Sequence, residues 1–403
     1  MEEKMIDKNF CLDLSHLPKE LRLLLEIMKT NNDSVSLSDE LFIDIDWELF
    51  LRMSRHHRVN PLIYSKLKMI DEKRVPLNVI QILYEDYKKN TFQMLLLCGE
   101  MELVSKLFSE KQIRLLFMKG PVIAADIYGD ISLRTSKDLD ILIPMNDLKK
   151  AEELLLIYGY VRENRWKHHI TFFHPQKGIE IEIHWRLHPP SMKEPSFNEL
   201  WERKSISTLS SYPIYFFGKE DLFLFLVDHG NRHGWFRLRW LADIDQIIRK
   251  RIFLEETTEI SKKIQHDHLR GHALILAAQL FNTPINDELK SIIAGNRQFR
   301  LAKLAVYYII EMCHSQLFQS KYALAQYYNK NPFSIKSNLK KSIFVNLYSF
   351  AIKSNFDKIS FVIHLFYPGL EDEKTLRLPK PLYFLYFPLR PFLWVWRKAR
   401  KPA

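Results

Sequence analysis

Asp138 and Asp140, two residues apart in the run DLDILI, are the residues whose spacing most directly suggests chemistry. Strand alternation sends both carboxylates to one face and Leu139 and Ile141 to the other. Held side by side, each carboxyl raises the pKa of its neighbour, and a hard divalent cation with oxygen ligands relieves the repulsion. An isolated DxD also fits an edge strand that shows its acids to water. The second run, IEIEIHW, shifts that balance, because the same period of two puts Glu180, Glu182 and His184 on one face. A third acid is then available to complete a two-metal site. Upstream, Lys119 and Gly120 fall at a strand-to-helix turn, where free N–H groups and the helix dipole favour phosphate and glycine allows close approach.

Other polar residues carry weaker signals. His229 and His233 stand one helical turn apart, so a metal pair is conceivable, but there is no HExxH and no carboxylate at ligand spacing. Arg239 and Asp243 stand at i and i+4, where an intrahelical ion pair is the plain alternative to a place in a cleft. His168, His169, His174 and His188 have no assignable partner and are expected to be structural or solvent-exposed. The chain contains no GxxxxGK loop, no GxGxxG after a strand and no HRD and DFG pair, which sets aside P-loop and kinase chemistry.

The elements that must position these residues follow from periodicity. Between about Ser15 and Ser105 apolar residues recur at helical spacing, as in LRLLLEIM and VIQILYEDY, giving a helical N-terminal module over 1–105. Over 106–215 the pattern becomes α/β: IRLLFM is a short apolar run, KGPVIAADIY opens a helix with Pro121 in its first turn, and DLDILI is a strand. Asn146 is the expected cap of the helix DLKKAEELLLIYG, which Gly159 ends, and ITFFH and IEIEIHW follow as strands, for a mixed sheet of about four or five. A further helical module over 216–320 is expected to cover one side of the sheet, and 321–403 reads as a helical extension with an aromatic and basic tail.

Composition bounds the function. A chain of 403 residues, 47% hydrophobic and 27% charged with 11 glycines, is an ordered globular protein of two or three packed modules. Cys11, Cys98 and Cys313 are odd in number and lack CxxC spacing, against a disulfide framework or a zinc ribbon, and MEEKMIDKNF is not a secretory signal, so a cytoplasmic location is expected. A net charge of +11 favours a polyanion such as a nucleoside triphosphate, a nucleic acid or an anionic lipid surface without choosing among them. The tail PLYFLYFPLRPFLWVWRKARK is too short and too interrupted to span a bilayer, leaving a membrane interface or docking on the protein's own helices as its uses.

Taken together, FMKG (117–120), IYGD (127–130), Arg134, DLDILI (138–143) and EIHW (182–185), with HGNRHGWFRLRWLADI (229–244) downstream, resemble the polymerase-β nucleotidyltransferase superfamily, and most closely its bacterial family of uncharacterised nucleotidyltransferases. The likeness spans roughly residues 90–320 and implies an α+β fold: a small palm-like mixed-sheet core flanked by N- and C-terminal helical modules. It also implies Asp138 and Asp140 as ligands of a triphosphate-bound Mg²⁺, and Glu182 with them as ligand of a second ion, Mn²⁺ being a possible substitute. Glu180 is the less favoured third acid. Lys119, Gly120 and Arg134 would bind the phosphates, and His184, His229, His233, Arg239 and Asp243 are secondary candidates. One departure is the superfamily's Gly-Ser pair, which is Lys-Gly here with a longer spacing to the acids. The donor implied is a nucleoside triphosphate, and the acceptor a peptide, a glycan or a small molecule in preference to nucleic acid. A transferase using a nucleotide-sugar donor, and an inactive nucleotide- or partner-binding module, are the competing readings.

Overall fold

A computed structural model describes residues 11–29, 37–68, 74–166, 168–187, 194–250, 267–317, 347–353, 358–359, 362–363, 366–367 and 369–400. His188 and the lysine-rich stretch 336–341 lie outside these residues. Helices α1 (Lys19–Lys29), α2 (Trp47–His56), α3 (Asn60–Leu67) and α4 (Leu77–Glu110) come first. Asp46 caps α2 through Leu49 N–H at 2.9 Å, satisfying a donor that the first helical turn leaves open. The α/β section supplies β1 (Leu116–Phe117), the helical turn α5 (Pro121–Ile123), β2 (Asp138–Leu142), α6 (Leu148–Ile157), β3 (Val161–Arg165), β4 (His169–His174), β5 (Ile179–His184), α7 (Phe197–Glu202), β6 (Ser205–Ser207) and β7 (Ile214–Phe216).

These strands form one mixed sheet in the order β3-β4-β5-β2-β1-β7-β6. It has seven strands, where the sequence suggested four or five. The additions are β3, β6 and β7. Strand β3 reads VRENR and is exposed throughout, so it carries no alternation to betray it, and the other two are three residues each. The pair that matters most, β2 and β5, is parallel, while β4–β5 and β1–β2 are antiparallel. Leu139, Ile141, Ile181, Ile183, Ile170 and Phe172 are fully buried, and α4 and α6 pack on the sheet. The alternate residues of the same strands include the acids.

Two local details differ from expectation. Asn146 does not cap α6: a 3₁₀ turn, Met145–Asp147, is inserted after Pro144, so Asp147 takes the cap position, without a side-chain hydrogen bond. Gly159 ends the helix region at φ +86°, as glycine permits. The short helix after Lys119 is interrupted too, since α5 passes directly into a π-turn over Ala124–Tyr128.

Beyond the sheet come α8 (Lys219–Arg232), α9 (Leu238–Arg249), α10 (Asp267–Phe281), α11 (Asp287–Ile293) and α12 (Asn296–Leu317). They pack mainly on one another and also on the N-terminal helices: α10 meets α1, α12 meets α2, and Leu12 N–H donates to Gln279 Oε1 at 2.6 Å. Near the end, α13 (Leu370–Thr375) pairs with α14 (Tyr386–Arg400) around Asp372, whose buried carboxylate takes Arg397 Nη1 at 2.7 Å. On α14, Tyr386 and Leu393 are buried and Phe387, Phe392, Val395 and Trp396 are exposed. Among the described residues no helix is long and apolar enough to cross a membrane, and Cys11 and Cys98 are free thiols.

Candidate metal and phosphate site

The site is built by strand register. In the parallel pairing of β2 with β5, Asp138 lies opposite Glu180, Asp140 opposite Glu182 and Leu142 opposite His184. Across the antiparallel pairing with β4, Glu182 faces Thr171 and His184 faces His169. One face of three neighbouring strands therefore presents four acids and then a pair of histidines.

The approach to this face is set by the chain before it. Met118 N–H donates to Asp140 O at 2.9 Å, which continues the β1–β2 ladder. The chain then turns at Gly120, at φ +94° and ψ −152°, a region essentially reserved for glycine. A Cβ there would meet Leu139 Cδ2 at an ordinary contact distance of 3.5 Å, so it is the backbone conformation that calls for glycine. Lys119, just before the turn, places Nζ 3.0 Å from Asp140 Oδ1.

Asp140 is 1% exposed. Burial alone would raise its pKa, but Lys119 and the hydrogen-bonded His184 hold it well below the usual carboxylate range. Asp138 moves the other way, raised first by burial and then by the charges of Asp140 and Glu182, against Lys119 and Arg239. Glu180 is raised as well, by burial and by Asp138 and Glu182. His184 is raised although burial opposes it, because Nε2 lies 3.1 Å from Glu182 Oε2 and 3.4 Å from Asp140 Oδ1. Lys119 and His184 thus compensate a clustered negative charge.

The donor set suits a hard cation. Asp138, Glu180 and Glu182 bring one oxygen each within 4.8 Å of one another, as do Asp140 and Glu182 with a nitrogen of His184. Asp140 Oδ2 is buried and accepts no hydrogen bond. A buried carboxylate oxygen without a donor carries an unmet desolvation cost, and Mg²⁺ with its oxygen preference answers it. Glu180, the less favoured third acid, also belongs to this cluster, because parallel pairing sets it directly beside Asp138.

Arg134 was expected at a phosphate. Its guanidinium is 1% exposed and pairs with Asp243 through Nε at 3.0 Å and Nη2 at 3.0 Å, while Nη1 is buried without a hydrogen-bond partner. Tyr128 Oη also donates to Asp243, at 2.9 Å. Asp243 therefore closes on Arg134 and not on its helical neighbour Arg239, and a buried bidentate pair clamps α9 to the loop before β2. Arg239 instead donates to the Thr135 carbonyl. His229 and His233 pack their rings on each other at 4.7 Å and on Trp240 at 5.3 and 5.1 Å. Desolvation, with nearby cations, holds His229 well below its usual pKa and brings His233 to about 4. Neither belongs to a group of three ligands among the described residues.

Three contributions were not foreseen. Arg58, at the α2–α3 junction with φ +56°, is half-buried, and Asp138 acts on its charge. Arg232 on α8 is acted on by Asp228 and Asp140. His168 and His169, thought to lack partners, gather at His184: the His169 and His184 rings stack at 4.8 Å, and His168 lies 4.6 Å from His169. The doubled histidine was visible in the sequence, but only the β4–β5 register says what it faces. His174 is structural as expected, edge-on to Tyr160 at 5.0 Å.

Comparison with curated proteins and with solved structures finds no match. A family model described as "Uncharacterised nucleotidyltransferase" matches residues 44–282, more than half of the chain, and this span takes in Arg58, the whole sheet and Asp243. The carboxylate face thus lies within the matched segment, and the chain belongs to this nucleotidyltransferase family.

Proposed function

We propose that the protein transfers a nucleoside monophosphate from a nucleoside triphosphate to an acceptor nucleophile, releasing pyrophosphate. The observation that carries this reading is the paired register of Asp138 with Glu180 and Asp140 with Glu182, which gathers the acids on one face beside Lys119. Asp138, Asp140 and Glu182 would hold two Mg²⁺ ions, or Mn²⁺ in their place. Such ions, when bound, neutralise the triphosphate and lower the pKa of the attacking oxygen.

The chain's own groups supply the rest. Lys119 exchanges its contact with Asp140 for an oxygen of the departing pyrophosphate, and Arg58, close to Asp138, takes another. Gly120 lets the backbone approach the phosphates without a side chain in the way. His184 holds Asp140 and Glu182 in place through Nε2. Arginines around the face are engaged inside the fold, Arg134 by Asp243, Arg239 by Thr135 and Arg232 by the Leu187 carbonyl. This favours a compact acceptor such as a peptide, a glycan or a small molecule over a nucleic-acid strand tracked along its phosphates.

The test is pyrophosphate release from each of the four ribonucleoside triphosphates with Mg²⁺ and a cell extract as acceptor source, alongside mass spectrometry of the products. Asp138→Ala with Asp140→Ala should lower release by about 10³-fold, the loss of several kcal/mol of transition-state stabilisation. Equal release by the wild type and a folded double variant would remove the site. Transfer from a nucleotide-sugar without pyrophosphate would replace the donor and keep the face.

A further inference from the structure

Beside the acids the same face carries a donor set of different chemistry. His168, His169 and His184 each offer a ring nitrogen, and the three nitrogens lie within 4.8 Å of one another. Imidazole nitrogen suits zinc and its late first-row neighbours, whereas Mg²⁺ prefers oxygen. With Zn–N near 2.0–2.1 Å, the nitrogens of a tetrahedral site stand about 3.3 Å apart, so binding one ion requires the His169 and His184 rings to turn out of their stack. His168 lies in the bend just before β4, half-buried, and its carbonyl accepts from Trp185 N–H at 3.2 Å.

His184 adds an independent observation. Its Nε2 lies against Glu182 and Asp140, and because ionised carboxylates only accept, Nε2 is the donating nitrogen. That leaves Nδ1, which is buried and has no hydrogen-bond partner, on a side chain about nine-tenths buried. His169 Nδ1 is in the same condition. A histidine that gives one ring N–H to a carboxylate while its other nitrogen stands bare has the orientation characteristic of metal-ligating histidines.

We infer that His168, His169 and His184 form a second metal site, specific for a zinc-like divalent transition ion, with Asp140 and Glu182 orienting His184 from the carboxylate side. The site is distinct from the oxygen-ligated one and does not depend on which nucleotide or acceptor the protein uses.

The test is zinc retention by the full chain, measured by elemental analysis after dialysis against a large excess of Mg²⁺. One zinc per chain should remain in the wild type and in Asp138→Ala, and His168→Ala and His169→Ala should each weaken retention at least tenfold. In parallel, Co²⁺-loaded His168→Cys should show a thiolate-to-cobalt charge-transfer band that the Co²⁺-loaded wild type, with the same native cysteines, does not. Displacement of zinc by Mg²⁺, equal retention in all the histidine variants, loss in Asp138→Ala as great as in His169→Ala, or absence of the charge-transfer band would each overturn the assignment. None of these readouts uses nucleotidyl transfer, so a failure here and a failure of the proposed reaction remain distinguishable.

Discussion

At the level of single residues, the third acid is the point on which the carboxylate face turns. Glu182 sits beside Asp140, the most buried of the four acids on the face, and also accepts from His184, whereas Glu180 sits beside Asp138. Both glutamates share a cluster with Asp138. Glu182 touches both groups of ligands and Glu180 only one, so Glu182→Gln should lower turnover by about 10²–10³-fold and Glu180→Gln by about tenfold or less. Steady-state kinetics of the two variants against the wild type checks this. A greater loss in Glu180→Gln would move the third ligand to that residue. Parallel pairing is what makes the comparison sharp, because it puts each glutamate opposite one aspartate.

At the level of elements, the face depends on the loop before β2 being held in place. Arg134 and Asp243 do this from the interior, joining that loop to α9 across 109 positions of sequence. Removing one partner of a buried ion pair leaves an uncompensated charge, and Arg134→Met should destabilise the protein by about 3–5 kcal/mol. Pairing it with Asp243→Leu should recover much of that loss, because an apolar pair of similar volume avoids the desolvation cost. Urea unfolding midpoints of the single and double variants read both values. A single variant that unfolds like the wild type but binds nucleotide poorly would return Arg134 to the phosphates. Helix α14 yields a separate expectation. Its exposed Phe387, Phe392 and Trp396, in a segment rich in arginine and lysine, suit the interface of an anionic bilayer. Co-sedimentation with vesicles containing phosphatidylserine should fall when residues 380–403 are removed, and equal sedimentation would assign the aromatic face elsewhere.

For the molecule as a whole, α10 and α12 close on the N-terminal helices α1 and α2, and α10 also packs on α8, where it buries a histidine. His272 on α10 is fully buried, and Nδ1 donates to Asn231 Oδ1 at 2.8 Å. Burial, with His268 nearby, pulls its pKa from 6.5 to about 3. The sign follows: above pH 6.5 the ring is neutral in both states and contributes no pH dependence. Between pH 6.5 and about 3 the unfolded chain takes a proton that the folded one refuses, so stability falls as the solution is acidified. The slope from one such histidine is at most about 1.4 kcal/mol per pH unit. Urea titrations from pH 7 to pH 4 should show this loss, and His272→Gln should make it shallower. An unchanged slope in the variant would place the acid sensitivity on other groups.

Much of this was legible in the chain itself. The alternation in DLDILI and IEIEIHW fixes which side chains share a face, because period two is a local property of an extended backbone. The glycine after Lys119 marks a turn for an equally local reason, since its φ of +94° is costly for any residue with a Cβ. What no local pattern carries is which strand lies beside which, and in what register. The pairing of Asp140 with Glu182, the arrival of His169 at His184 and the capture of Arg134 by Asp243 are long-range contacts. The packing of the whole core selects them, and a charged residue such as Arg134 looks the same in sequence whether it meets a phosphate or a buried aspartate. Residue types and faces were therefore settled by the sequence, and partners by the tertiary structure.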